Sequence, residues 1–442
     1  MHPGRVDGGR SPLHWQPLFD TPATSPVSFS SLGLLPALVR AAAEAGFAVP
    51  TAIQLQAIPL VLRGTDVWGS AQTGSGKTAA FVLPMLQRLQ QSSPHSPRRV
   101  RALVLVPTRE LAAQVGEVAR KLALYLPHPV KVAVVFGGVS VNPQMMGLRG
   151  GADLVVATPG RLLELVRNNA LKLAAVQTLV LDEADRLLEL GFADELAQVL
   201  ALLPHKRQTL LFSATFPLEV EVLASALLNA PVRLEITATP TSDVAVLQRV
   251  IQVDAGRRTE LLRHLIAGNG WERVLVFVGT QYATEHVAWK LHKAGLFATP
   301  FHGGMSQGAR TQVLAEFKNS QWDVVVTTDL AARGIDVAQL PVVVNYDLPR
   351  SAVGYVHRIG RTGRAGASGL AVSFVSAQTE AHFALIEKRQ GLSLPREQIA
   401  GFEPVDVLVP ADLAPVPGTG GVKGKRPSKK DKLRAAEKRC GE

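Results

Sequence analysis

The sequence predicts an α/β protein with two tandem parallel-sheet domains. Three observations point there. Short Val- and Leu-rich runs without polar alternation recur along the chain, as expected of strands covered on both faces. Each run is followed by a stretch of helical length, the repeat that builds parallel sheets. At 442 residues the chain exceeds one ordinary core. In the first half the runs are 67–69, 102–106, 131–136, 153–157, 178–181 and 209–212. The segment TATPTSDVAV, 237–246, breaks the pattern and reads as a linker. The pattern resumes at 274–278, 323–327, 342–345 and 370–374. The expected domains are therefore 29–237 and 246–400, joined by a linker at 238–245. Residues 1–28, rich in Pro, Gly and Ser, read as a disordered extension, and 401–442 as a Pro/Gly-rich and then basic disordered tail.

Composition narrows the partner. Forty-seven basic against 36 acidic residues give a net charge of +11. That balance favours a polyanion, nucleic acid first and an anionic membrane surface second. No apolar segment is long enough to span a bilayer, and the N-terminal stretch lacks the apolar core of a signal peptide. The single cysteine, Cys440, sits without a partner in the charged tail, which suits a reducing, cytoplasmic setting.

The polar motifs come directly after the apolar runs, where open parallel sheets collect ligands. GSAQTGSGKT, 69–78, follows a strand and opens a helix. Gly74 and Gly76 let backbone N–H groups wrap a phosphate, and the helix N-terminus adds favourable partial charge. Lys77 would reach the β- and γ-phosphates, and Thr78 would sit on Mg²⁺. Ala71 departs from the general phosphate-loop pattern, which has glycine there. LVLDEADRLLELGF, 179–192, sets Asp182, Glu183 and Asp185 at the end of a buried run, so positive charge is needed to make them tolerable. Nucleotide-borne Mg²⁺ supplies it, with Asp182 as ligand through water and Glu183 orienting the attacking water. Taken alone the cluster reads equally well as a solvated acidic helix start. HRIGRTGR, 357–364, gathers His357, Arg358, Arg361 and Arg364 with no acid close by in sequence, so it is expected to hold an external anion. A generic phosphate-binding surface is the other reading of that pattern.

Over about residues 29–376 these motifs, in this order, resemble the DEAD-box ATP-dependent RNA helicases, bacterial type with a short basic tail. AQTGSGKT resembles the family's own phosphate loop, which accounts for Ala71. The resemblance implies two RecA-like domains, with ATP and Mg²⁺ as cofactors and RNA as partner. It implies that Lys77, Asp182, Glu183, Arg361 and Arg364 carry the chemistry, the two arginines as fingers on the γ-phosphate. ATP would be held by Thr73, Gly74, Ser75, Gly76, Lys77 and Thr78, with Gln54 on the adenine edge and Phe29 stacked on the base. Gly334, Asp336, Arg361 and Arg364 would complete the nucleotide site from the second domain, Asp336 reaching the ribose. Asp185, Ser213, Thr215 and His357 would couple hydrolysis to RNA work. Pro107, Thr108, Arg109, Gly138, Thr158, Arg161, Arg310 and Thr328 would contact the RNA backbone.

On this reading neither domain can hydrolyse ATP alone, so closure about the linker is required. RNA contacts rich in hydroxyls and arginines, in a chain with 5% aromatic residues, imply weak sequence specificity. Two rivals stay open: a clamp or chaperone for which unwinding is incidental, and a DNA helicase with the same two-domain engine. Richness in Ala, Val, Leu and Arg suggests a bacterial enzyme with a monomeric core. Short-tailed bacterial members of this type suggest ribosome-assembly or RNA-decay proteins as partners.

The tail generates a prediction from charge alone. KGKRPSKKDKLRAAEKRCGE, 423–442, has nine basic and three acidic residues, over half of the excess charge. If it neutralises about four phosphates of single-stranded RNA, it contributes roughly 50-fold salt sensitivity between about 50 and 200 mM. Truncation after Gly421 should weaken RNA affinity and flatten its salt dependence, leaving ATP turnover at saturating RNA unchanged. Coincident affinity-versus-salt curves for full-length and truncated protein would deny the tail an anchoring role.

Overall fold

The computed structural model describes residues 28–70, 75–91, 96–236, 246–332, 340–363 and 369–405. The expected linker, residues 1–27 and 406–442, Thr73, Gly74, Gly334, Asp336 and Arg364 lie outside the described residues. Residues 401–405, expected to begin the disordered tail, are instead held on the second body, where Val405 N donates to Asp254 Oδ2 and Arg257 to Gly401 O. Each body is a seven-stranded sheet flanked by helices.

The first sheet contains β1 (Val67–Ser70), β2 (Ala102–Leu105), β3 (Val132–Val135), β4 (Leu154–Ala157), β5 (Thr178–Leu181), β6 (Gln208–Ser213) and β7 (Val232–Glu235). Their order is β3-β4-β2-β5-β6-β1-β7, with every pairing parallel. β2, β4, β5 and β6 are buried along their whole length, which is why they read as unbroken apolar runs. Their side chains divide between two cores. Val104, Val180, Leu210 and Phe212 pack with Ile53, Ile58 and Phe81 on one face. Leu103, Leu105, Leu179, Leu181 and Leu211 pack with Leu162, Leu187 and Leu196 on the other.

The second sheet contains β8 (Leu247–Gln252), β9 (Val274–Phe277), β10 (Ala298–Phe301), β11 (Val324–Thr327), β12 (Val342–Asn345), β13 (Leu370–Val375) and β14 (Arg396–Glu397). Its order, β10-β11-β9-β12-β13-β8-β14, is the first sheet's order over again, and it too is wholly parallel.

Four strands escape the apolar-run criterion. β7 is an edge strand exposed at three of its four positions, β10 is an edge strand containing Pro300, and β14 has two residues. β8 mixes Gln and Arg with its apolar residues because it borders β14 near the edge.

The entry to β1 is fixed by a buried carboxylate. Asp66 accepts hydrogen bonds from Thr209 N at 2.8 Å and Asn229 N at 2.8 Å, tying β1 to β6 and to the turn before β7. Gln208 Nε2 donates to Thr65 O at 2.7 Å on the same turn. These bonds hold the phosphate-loop strand in register with its neighbours.

Candidate functional site

Because β5, β6 and β1 are adjacent and aligned, with Leu181 opposite Leu211 and Ser70 opposite Ser213, the segments leaving their carboxyl ends meet. The segment after β1 runs into the helix Lys77–Gln90. Gly76 caps that helix at φ +91°, and a Cβ there would lie 2.5 Å from Gln54 Nε2 and 2.9 Å from Thr51 Oγ1. Only glycine satisfies both the left-handed backbone and the close approach. Gln54, 2% exposed, accepts from Thr51 N at 2.9 Å and donates through Nε2 to Gly76 O at 3.1 Å. The helix Ala52–Leu62 is thereby tied to the phosphate loop, and Gln54 keeps one donor proton and one lone pair for anything else. Phe29 is 3% exposed within the first core, so little of its ring is left to meet a base.

Lys77 is the first residue of its helix and is 7% exposed. It is an electrostatic partner of Asp182, which is 3% exposed at the end of β5. Burial pushes the Asp182 carboxyl up from 3.8 to about 6. The Lys77 charge opposes that shift, Glu183 and Asp185 add to it, and a hydrogen bond from Glu183 N at 3.0 Å opposes it again. Glu183 takes a left-handed conformation, φ 52° and ψ 53°, at the start of the helix Ala184–Glu189. A non-glycine residue held there stores strain of about 1–3 kcal/mol, of the sort that collects at functional positions.

Asp185 faces away from this pair. Its Oδ2 accepts from Thr215 Oγ1 at 2.8 Å and Thr215 N at 3.2 Å, and its own N donates to Ser213 Oγ at 3.3 Å. Ser213 Oγ donates in turn to Thr215 O at 2.7 Å. The three carboxylates are thus separated by role: one against a lysine, one half-buried, one bonded to the segment after β6.

The residues fit a nucleotide phosphate with a divalent cation. Ser75 Oγ is buried with no hydrogen-bond partner, as expected of a hydroxyl whose partner is a ligand oxygen. Thr78 and Asp182 offer the hard oxygen donors that Mg²⁺ takes.

The other half of the same edge carries the expected backbone-contact segments. Pro107 is buried after β2, and Thr108 caps the helix Arg109–Ala123 by accepting from Leu111 N at 3.3 Å. The Arg109 guanidinium lies against Gly138, whose φ of +72° and lack of a side chain both make room for it. Gly137 N donates to Thr158 Oγ1 at 3.3 Å, joining the turn after β3 to that after β4. Arg161 is 5% exposed; it donates to Glu164 at 2.8 Å and to Val139 O at 2.6 Å. Its guanidinium therefore props the turn after β3, although Nη1 is buried without a partner.

In the second body one expectation is overturned. The basic cluster was expected to have no acidic partner, yet Arg358, 3% exposed, is held by Asp329 through two bonds, 2.5 Å to Oδ1 and 2.7 Å to Oδ2. It also donates to Asn345 Oδ1 at 3.1 Å and Asp347 O at 2.5 Å, and lies 4.8 Å from the Phe277 ring centroid. The pairing was hidden because Asp329 stands 29 residues away and reaches Arg358 only through the sheet order. Arg358 is structural, while His357 and Arg361 are half-exposed nearby on the same segment. Thr328 comes directly after β11, and Arg310 lies in the helix Gln307–Lys318. Asp347, in the segment YDLP at 346–349 to which the sequence reading gave no role, accepts from Arg258 Nη1 at 2.5 Å and Gly279 N at 2.8 Å and so fixes the turn after β9.

A phosphate loop on the first strand of a parallel sheet, an acidic motif two strands away and a hydroxyl segment bonded to it define a nucleoside-triphosphate-hydrolysing engine of the RecA-like type. The comparisons with known proteins make that class specific. The DEAD/DEAH box helicase family model matches residues 51–223, and the helicase conserved C-terminal domain model matches 257–366. The chain is 41% identical over 396 residues to the ATP-dependent RNA helicase DeaD of Mycobacterium tuberculosis, covering 89% of this chain and 69% of that one. It is 40% identical over 360 residues to the ATP-dependent RNA helicase CshA of Listeria monocytogenes, covering 81% and 68%. Among solved structures it resembles S. cerevisiae Dbp5 bound to RNA and ADP-BeF3, with a TM-score of 0.74, 30% identity, and coverage of 84% of this chain and 95% of that one. This chain belongs to the DEAD-box ATP-dependent RNA helicases, and it is an RNA-stimulated ATPase.

The raised Asp182 carboxyl predicts a pH-dependent stability. With its folded value near 6 against 3.8, ionisation costs stability as pH rises between those values, and the cost is complete above about 6. Asp182→Asn should therefore stabilise the nucleotide-free protein by about 3 kcal/mol at neutral pH, and the gain should be mostly lost near pH 4. Urea denaturation at the two pH values measures this; equal stability of variant and wild type at neutral pH contradicts it.

Proposed function

We propose that this helicase hydrolyses Mg²⁺-bound ATP to ADP and phosphate and couples turnover to local separation or remodelling of RNA. The observation that supports the roles is the Lys77–Asp182 pair, buried beside a partnerless Ser75 hydroxyl, with Asp185 already spent on Thr215. Lys77 holds β- and γ-phosphate oxygens, and backbone N–H groups of the Thr73–Thr78 loop surround them. Thr78 and Asp182 are the proposed metal donors, and the cation when bound neutralises phosphate charge. Glu183, free of the Asp185 network, orients the attacking water and accepts its proton. Arg361 and Arg364 are proposed to bring guanidinium charge to the transferred phosphoryl group.

The Asp185–Thr215 bond supports a coupling role for the segment after β6, because a shift of either strand end is felt by the acidic motif at once. Thr108, Arg109, Gly138, Thr158, Arg161, Arg310 and Thr328 are proposed to hold the RNA backbone. Backbone contacts of that kind position RNA without reading its sequence. A cytoplasmic bacterial setting, with ribosome-assembly or RNA-decay proteins as partners, accords with the sequence reading. Among the described residues no helix is long and apolar enough to cross a membrane.

The division of labour has a direct test. Lys77→Ala should abolish ATP turnover through lost phosphate binding. Glu183→Gln should stop hydrolysis yet still bind ATP and RNA. Wild-type turnover in Glu183→Gln would remove Glu183 from its role.

Base choice is proposed to rest on Gln54, whose remaining proton and lone pair suit the N7 and exocyclic amine of adenine. A bidentate contact of that type discriminates by about 1–3 kcal/mol. Gln54→Ala should lose the preference for ATP over GTP in kcat/KM. A wild-type enzyme that turns over both equally excludes Gln54 from base recognition.

A further inference from the structure

Aromatic residues are scarce in this chain, 5% of the total, and those exposed are gathered in one place. Among the described residues the well-exposed aromatics are Tyr125, Tyr282, Trp289 and Phe297, and three of these four lie on or just after the helix Gln281–Lys293. That helix packs on its body through Thr284, Val287, Ala288 and Leu291. Its opposite face carries Tyr282, His286, Trp289 and Lys293, the spacing of a single stripe along a helix. Tyr282 is 75% exposed and Trp289 57%.

The stripe is ordered. The Tyr282 and His286 rings stack with centroids 5.7 Å apart and planes 13° apart, and Lys293 Nζ lies 5.1 Å from the Trp289 ring centroid. Lys290 and His292 are exposed on its flanks. No exposed Leu, Ile, Val or Met lies on this helix, so the face lacks the aliphatic surface that a protein partner's apolar side chains would bury. Flat rings interleaved with cations are instead the surface on which unpaired bases stack while their phosphates are neutralised. Seven helical residues separate Tyr282 from Trp289, about 10 Å along the axis. That is roughly three stacked nucleotide steps at about 3.4 Å each.

We propose that this stripe is an auxiliary platform for single-stranded RNA, on which Tyr282 and Trp289 stack bases and Lys293 and Lys290 meet the phosphates. The inference rests on the helicase reading, and it adds a base-stacking contact to a backbone-contact set that has none. It would retain a separated strand without imposing sequence preference, since every base offers a ring face.

The test is the double variant Tyr282→Ala/Trp289→Ala, with fluorescein-labelled oligouridylate as probe and the full chain as protein. Both side chains are exposed, so the fold is not at stake. Affinity for the oligonucleotide should fall by about 30-fold or more. ATP turnover at saturating RNA should keep its kcat, with the RNA KM raised. Tyr282→Phe/Trp289→Phe should restore affinity, because the rings are kept. Wild-type tryptophan emission should be quenched by oligouridylate, and the quench should diminish in Trp289→Phe. Unchanged affinity with an unchanged quench overturns the platform. Self-association that the alanine variant abolishes, with RNA affinity unaltered, assigns the face to a second copy and overturns it as well. Absence of RNA-stimulated turnover in the wild type would instead sink the helicase reading, so the two failures are distinguishable.

Discussion

The functional organisation depends on one constraint, the strand order of a wholly parallel sheet. In the first body that order, β3-β4-β2-β5-β6-β1-β7, sorts the polar segments into two neighbouring groups before any side chain is placed. The ends of β5, β6 and β1 are neighbours, and they carry the acidic motif, the Ser213–Thr215 segment and the phosphate loop. The ends of β3, β4 and β2 are neighbours, and they carry Gly138, Thr158 and Arg109. Since every strand points the same way, both groups leave from one edge. The two groups of segments, proposed to serve nucleotide and RNA, thus share one sheet. They join at the β2–β5 pairing, where Leu105 lies opposite Leu181.

Placing three carboxylates on such an edge is electrostatically costly, and the structure resolves the cost by giving each a different environment. Asp182 is the most deeply buried, and Lys77 offsets only part of its burial. The metal-bearing nucleotide proposed for this site would supply what is lacking. Asp185 is satisfied by hydrogen bonds, its acceptors spent on Thr215 and on Arg186 N at 3.1 Å. Glu183 is left over, half-buried on a left-handed backbone, and its charge adds to the cost of ionising Asp182. Separating environments in this way lets adjacent acids perform different tasks at one pH.

How much of this could be read from the sequence depends on which forces are local. The buried strands were legible because burial on both faces demands apolar residues at every position, as in Val104, Val180 and Leu210. β7 was not, because that edge strand is exposed at three of its four positions; β10 was not, because Thr299 and Pro300 interrupt its apolar run although the strand is mostly buried. That Lys77 and the acidic motif come together was legible because each follows an apolar run, and the ends of such strands collect at one edge of a parallel sheet. Arg358 was misread because its partner, Asp329, is chosen by tertiary proximity, and nothing local in HRIGRTGR signals a distant carboxylate. Gln54 shows the intermediate case: the resemblance marked it for the adenine edge, while only the structure reveals its bond to Gly76 O.

The repeated strand order also explains why one fold yields two unlike bodies. β8 holds in the second sheet the place that β1 holds in the first. From the end of β1 the chain passes through a glycine-rich segment into the long helix Lys77–Gln90. From the end of β8 it passes through Val253 and Asp254 into the short turn Ala255–Arg257. There the chain's own later segment is bound instead of a phosphate. Asp254 Oδ2 accepts from Val405 N at 2.9 Å, Arg257 donates to Gly401 O at 2.6 Å, and Phe402 lies 4.9 Å beneath the Arg257 guanidinium. An acidic residue at this strand end would repel a phosphate, and a backbone segment already satisfies the donors and acceptors around it. The second body has therefore turned the same topological position from a nucleotide cradle into a structural seal, and its basic residues are left to act from other strand ends. Fold repetition sets where a site can form, and the residues at the strand end decide whether it does.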